Sequence, residues 1–123
     1  MWDKRAVLVR VKDGDSFVAL LDQGFRDTKE IDVRLYGVYT PERGEEGFYE
    51  CRDFAKLWFD HEAQLVGAKW PFVVTTVRMK TVDREQTSFE RYLATVTSLD
   101  GSRNLNLEMT TFAEQNGYGR GDT

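Results

Sequence analysis

Hydrophobic and polar positions alternate along the first third of the chain and then change period. Residues 7–11, VLVRV, and 17–21, FVALL, read as two strands joined across KDGDS, where Asp-Gly is a strong turn signal. In EIDVRLYGV, residues 30–38, Ile31, Val33 and Leu35 alternate with Asp32, Arg34 and Tyr36, which predicts a strand with one core face and one polar face. From Glu45 to Val66 the apolar positions Cys51, Phe54, Ala55, Trp58 and Leu65 recur at helical spacing, with charged residues on the other faces and Gly67 as a stop. PFVVTTVRM (71–79) and RYLATVTSLDG (91–101) return to strand character around the charged stretch KTVDREQTSFE, which reads as a long hairpin loop. NLNLEMTTFAEQNG (104–117) predicts a short helix with Asn104 or Asn106 as its cap, Met109, Phe112 and Ala113 facing inward, and Gly117 ending it. The tail YGRGDT, residues 118–123, is expected to fray.

Five strands, one long helix and a terminal helix suit a small closed barrel of the OB type, a β-barrel with helices (α+β), better than a doubly wound sheet. Residues 1–117 are expected to form that single domain, a size at which one hydrophobic core is the rule. Such barrels often bind nucleic acid on one face. With 41% hydrophobic residues, 13% aromatics and 31% charged residues, the composition is that of a compact fold rather than a disordered chain. The absence of a long apolar run predicts no membrane span, and a start without a signal-peptide pattern points to a cytoplasmic protein. The single Cys51 stands in a helical pattern and reads as a buried thiol, while the lone His61 has no second ligand at metal spacing and reads as a surface or boundary residue. A net charge of −4 does not advertise a nucleic-acid binder, although a local basic cleft or a divalent cation can attract phosphate to an acidic protein.

Three short motifs carry candidate chemistry. DGDS places Asp13 and Asp15 at a turn, RLYGVYTPE supplies Arg34, Tyr39, Thr40 and Glu42, and RYLA opens a late strand with Arg91. Each is weak alone. In this order, with both helices in place, they resemble the staphylococcal nuclease-like, or thermonuclease, family, whose motifs run aspartate-glycine-aspartate-threonine, arginine-leucine-x-glycine-isoleucine-aspartate-threonine-proline-glutamate and arginine-x-leucine-alanine. The resemblance covers about residues 7 to 117. It implies a five-stranded OB-fold barrel of the staphylococcal nuclease-like type and a calcium-dependent phosphodiesterase acting on DNA and RNA. On that resemblance Asp15 and the Thr40 carbonyl would be metal ligands, and Asp13 an outer-shell acid. Glu42 would be the general base or would orient the attacking water, and Arg34 and Arg91 would bind the scissile phosphate. Calcium is the expected cation, another divalent ion being an alternative. The expected partner is single-stranded DNA or RNA, and the expected state a monomer.

Departures from the family pattern matter as much as the match. Ser16 for threonine keeps a turn hydroxyl, Val38 for isoleucine keeps a core side chain, and Glu90 replaces the usual glycine before Arg91. The Tyr118–Arg120 triplet imitates a family element but is not followed by a strand pattern as Arg91 is, and the resemblance does not extend to the further C-terminal helix of the best-known members. Tyr39 is the serious change, because the family places its second metal carboxylate there. A phenol is neutral at pH 7 and a poor replacement for an anionic oxygen, so cation binding is expected to be weak. Tyr39 would then stack on a base or pack as a partly buried aromatic. The runner-up function is a non-catalytic nucleic-acid- or protein-binding module.

Overall fold

A computed structural model describes residues 3–77 and 91–118, and of Arg91 the backbone alone. Five strands, β1 (Asp3–Asp13), β2 (Ser16–Gly24), β3 (Asp27–Leu35), β4 (Phe72–Thr76) and β5 (Arg91–Ser98), accompany helices α1 (Phe48–Val66) and α2 (Leu105–Gln115). The strands close into a barrel in the order β1-β2-β3-β5-β4, with β4 returning to β1. Every neighbouring pair is antiparallel except β3 with β5, which run parallel because α1 and β4 intervene between them in the chain. The loop expected over residues 80–90 lies outside the described residues, as does Glu90.

The alternation read in β3 holds: Ile31, Val33 and Leu35 are buried and Asp32 and Arg34 face outward. β1 is longer than its apolar run, because residues Asp3–Ala6 pair with β4, and an irregularity between Leu8 and Arg10 leaves Val9 exposed. Inside the barrel Phe17, Phe59 and Phe72 meet at ring-centroid distances of 4.8 to 6.3 Å. Burying one such ring is worth about 1.5–3 kcal/mol, so Phe59, set against Phe17 and Phe72, contributes substantially to holding α1 on the barrel.

α1 begins three residues later than Glu45, because Gly47 takes a left-handed φ of 92° that ends the preceding turn, and Gly67 closes the helix with the expected left-handed cap. Two sequence expectations for α1 need correction. Leu65 is 68% exposed, as the helix's last turn is uncovered from Ala63 to Val66. Phe54 is only partly buried and stacks on Phe112 of α2 at 4.5 Å, packing helix to helix as well as onto the core. In α2 the cap is Asn104, whose side chain accepts from the Leu107 amide. Asn106 is instead buried, accepting from the Val96 amide and donating to the Tyr36 and Ala94 carbonyls, so one amide side chain pins α2 to β5 and to the end of β3. Tyr118, assigned from sequence to the tail, packs near Phe112 and donates its amide to the Ala113 carbonyl.

A second polar clamp lies towards the C-terminal end of α1. Glu62, 1% exposed, accepts from Arg103 at 2.8 Å, and the same guanidinium makes two hydrogen bonds to Glu108 at 3.0 and 2.6 Å and lies over Trp58. His61, exposed as expected, contributes Nδ1 at 2.9 Å from Arg103.

Candidate active site

The turn between β1 and β2 is built by its own acid. Asp13 Oδ1 accepts from the Asp15 amide at 3.1 Å and from the Ser16 hydroxyl at 2.8 Å, an arrangement that Asp and Ser make readily at turns. Burial pushes the Asp13 carboxyl up, but the hydrogen bonds from Asp15 and Ser16 outweigh it and hold the group below the usual carboxylate range. Asp13 is thereby a structural anchor of the turn, a role the motif alone did not reveal.

Gly14 sits where nothing larger fits. A Cβ there would stand 2.7 Å from Cys51 Cβ and 2.8 Å from Thr40 Oγ1, so the turn rests directly on the first turns of α1 and on the β3–α1 connection. That close approach sets Asp15 and Thr40 on one locus. The Asp15 carbonyl also accepts from the Leu35 amide at 2.8 Å, tying the turn to the end of β3.

Arg34 is in register with Ser16, and its Nη2 stands 3.8 Å from Asp15 Oδ2. Thr40 is buried, and its Oγ1 has no hydrogen-bond partner. Tyr39, next to it in the chain, is 59% exposed, more open than the partly buried packing aromatic that was one expectation. Glu42 is exposed on the same connection. Its amide donates to Glu45 Oε1 at 2.7 Å and its carbonyl accepts from the Glu45 amide, which fixes the backbone on which the carboxylate is carried. Arg91 begins β5 in register with Asp32, and Arg34 pairs with Leu93 on the same strand. The fold therefore gathers Asp13, Asp15, Arg34 and Thr40, keeps Tyr39 and Glu42 on the rim connection, and sets the Arg91 backbone on the strand beside Arg34.

Two neighbours of the locus carry no motif signal. Cys51 is fully buried beneath Gly14, and burial, reinforced by Glu50 and Asp15, pushes its thiol up to about 11. It stays a neutral thiol and not a nucleophile. Lys12 of β1 reaches across to Asp32 of β3 at 2.5 Å on the outer face that also carries Arg34. Neither pairing was legible locally, because each joins residues that are distant in the chain and meet only in the folded molecule.

Of the oxygens expected to hold a cation the locus has the Asp15 carboxylate; at Thr40 it is the side-chain hydroxyl, packed against Gly14, and not the carbonyl expected from sequence, that is buried without a hydrogen-bond partner among the described residues. Among the described residues no three His, Cys, Asp or Glu side chains stand together as a metal-binding group. Oxygen donors of this kind are those a hard cation takes, and one carboxylate and one hydroxyl are few for such a site. Among the described residues no helix is long and apolar enough to cross a membrane. A scan against protein-family models finds no match to the chain, and a search of curated proteins finds none either.

Proposed function

We propose that this chain is a metal-dependent nuclease of the staphylococcal nuclease-like type, an OB-fold barrel that hydrolyses phosphodiester bonds of DNA or RNA with calcium or another divalent cation. The observation that carries the proposal is the approach of Asp15 to Arg34 at 3.8 Å beside the buried Thr40, a carboxylate, a guanidinium and an orphaned hydroxyl from separate segments at one spot. The strand order and the helix between β3 and β4 support the fold assignment.

Hydrolysis joins a water oxygen to phosphorus and breaks the bond to one ester oxygen, with the water proton leaving to a base and the departing alkoxide gaining one. Negative charge builds on the non-bridging oxygens, and the guanidiniums of Arg34 and Arg91 stabilise it in the transition state more than in the ground state. Glu42, carried on a braced and exposed turn, takes the proton or orients the water. Asp15 and Thr40 are the residues that would hold a divalent cation, with Asp13 behind them; when bound, such an ion supplies further positive charge to the same oxygens. A monomer suffices, since each of these groups comes from one chain.

A second reading, a binding module that does not cleave, is favoured by Tyr39, an exposed phenol where the family pattern has an acid. Incubation of single-stranded DNA and RNA with calcium, magnesium, manganese or a chelator separates the two. The nuclease reading expects metal-dependent cleavage that Arg34→Ala lowers by roughly 100-fold or more with the fold intact. Tyr39→Asp is expected to tighten calcium binding in calorimetry and to raise the rate at limiting calcium. A Tyr39→Asp protein that binds calcium and still does not cleave would establish the binding module.

A further inference from the structure

Beyond the Asp15 locus, the start of α1 carries a chain of contacts between arginines and aromatic rings. Arg43 lies 5.0 Å from the Phe48 ring centroid, and Arg52 lies 5.8 Å from the same ring and 4.9 Å from that of Tyr49. Phe48 and Tyr49 meet edge to face at 5.1 Å. Phe48 is buried, whereas the Tyr49 ring is 54% exposed and the Arg43 side chain reaches solvent. The series has a fixed inner rung and open ends. Its position is set by the packing already described, since Cys51, in the same turns of α1, is the residue on which Gly14 rests.

We infer that this ladder is a base-stacking platform for single-stranded nucleic acid, with Tyr49 as the residue that receives a base. The inference rests on the nucleic-acid reading above and narrows it to single strands, whose unpaired bases present the faces that a platform of this kind recognises. A ring held on one side by a guanidinium and open to solvent loses little freedom when a base covers it, and stacking does not depend on base identity. Duplex DNA keeps its base faces covered by their neighbours and offers mainly phosphates. Glu45, Glu46, Glu50 and Asp53 occupy the same stretch of chain as Arg43 and Arg52, and Arg52 Nε lies 3.6 Å from Asp53. Phosphate attraction here is therefore small, and the affinity depends on ring faces more than on charge. The consequence is a shallow salt dependence, unlike that of a basic cleft.

Fluorescence anisotropy of labelled oligothymidylate and oligoadenylate of about twelve nucleotides, within the usual range of an OB-type site, tests this in chelator so that no strand is cut. The single strands are expected to bind tighter than a duplex of the same length, and both bases to bind similarly. The logarithm of affinity is expected to fall with the logarithm of salt at a slope no steeper than about −1.5, that of two phosphates on a single strand. Tyr49→Ala is expected to weaken binding roughly ten-fold, the scale of one stacked base, and Tyr49→Phe, which keeps the face, to restore it. The ladder is overturned if Tyr49→Ala binds as the wild type does, if the duplex binds tighter, or if no strand binds at all. Cleavage scored separately keeps the two proposals apart. A wild type that cleaves while Tyr49→Ala binds normally removes the platform and keeps the nuclease, whereas Tyr49-dependent binding without cleavage under any metal keeps the platform and removes the nuclease.

Discussion

A single missing methyl group decides whether the β1–β2 turn can dock. Gly14→Ala would force a carbon to within 2.7 Å of Cys51 Cβ and 2.8 Å of Thr40 Oγ1, and neither neighbour is the far end of a flexible chain. Overpacking of this kind costs about 1–3 kcal/mol, and the upper end applies because two rigid neighbours must yield together. Denaturant unfolding is expected to show that loss, and native-state alkylation is expected to reach the Cys51 thiol faster as the turn lifts from α1; unchanged stability would mean the turn has another way to seat. From sequence, Asp-Gly signals a turn and nothing more. The reason for this glycine resides in Thr40 and Cys51, far along the chain, and so it was invisible to local pattern. Asp15 and Thr40 stand out in sequence because each belongs to a short motif, and the structure sets both at the β1–β2 turn, Asp15 within it and Thr40 against it; the roles given to them belong to the proposal above.

At the scale of the element, the β2–β3 hairpin is turned by unsuitable residues. Phe25 and Arg26 both adopt left-handed backbone, with φ of 52° and 63°, and the Phe25 side chain is fully exposed. Such turns favour Asn and Gly, since a side chain in this region crowds the following carbonyl by about 1–2 kcal/mol. Replacing Phe25 by Asn together with Arg26 by Gly removes that strain without disturbing the core. The pair is expected to stabilise the protein by about 1 kcal/mol, raising the thermal midpoint by several degrees. A thermal melt with no rise would show that the exposed ring contributes stability that burial does not reveal. Element by element, periodicity located β3, α1 and α2 because each has one face on the core. It placed Leu65 on that face in error, since period is blind to where a helix outruns the barrel it covers. It offered Asn106 only as a cap, since a polar residue that bridges two elements looks in sequence like one at a helix start.

Across the whole molecule, Arg103 adds a charged link between α1 and α2, whose rings Phe54 and Phe112 also stack. It links the buried Glu62 of α1, Glu108 of α2 and the Trp58 ring, from the connection between β5 and α2. Removing one partner of a buried pair leaves a charge in a poor solvent, at a cost of about 3–5 kcal/mol. Arg103 is partly open to water, and the lower end is therefore the expectation for Arg103→Leu in denaturant unfolding. Adding Glu62→Gln to that variant is expected to recover part of the loss, because the stranded charge is then gone. If the double variant is no better than the single, the clamp acts through packing on Trp58 instead.

The parallel pairing of β3 with β5 sets how this protein comes into being as well as how it stands. Those strands are separated by α1 and β4, so their seam forms only after a long stretch of chain has been ordered. Contacts of such high sequence separation slow folding, because the entropy of closing the loop is lost before the pairing is gained. The N-terminal strands can meet early as a local hairpin pair, carrying Asp15 and Arg34 with them. The strand that begins with Arg91 joins across a long separation, as does the β1–β4 seam, whose partners lie further apart still. A nascent or partly unfolded chain can thus hold Asp15 and Arg34 together before β5 has paired, and it is the pairing of β5 with β3 that sets the Arg91 backbone on the strand beside Arg34.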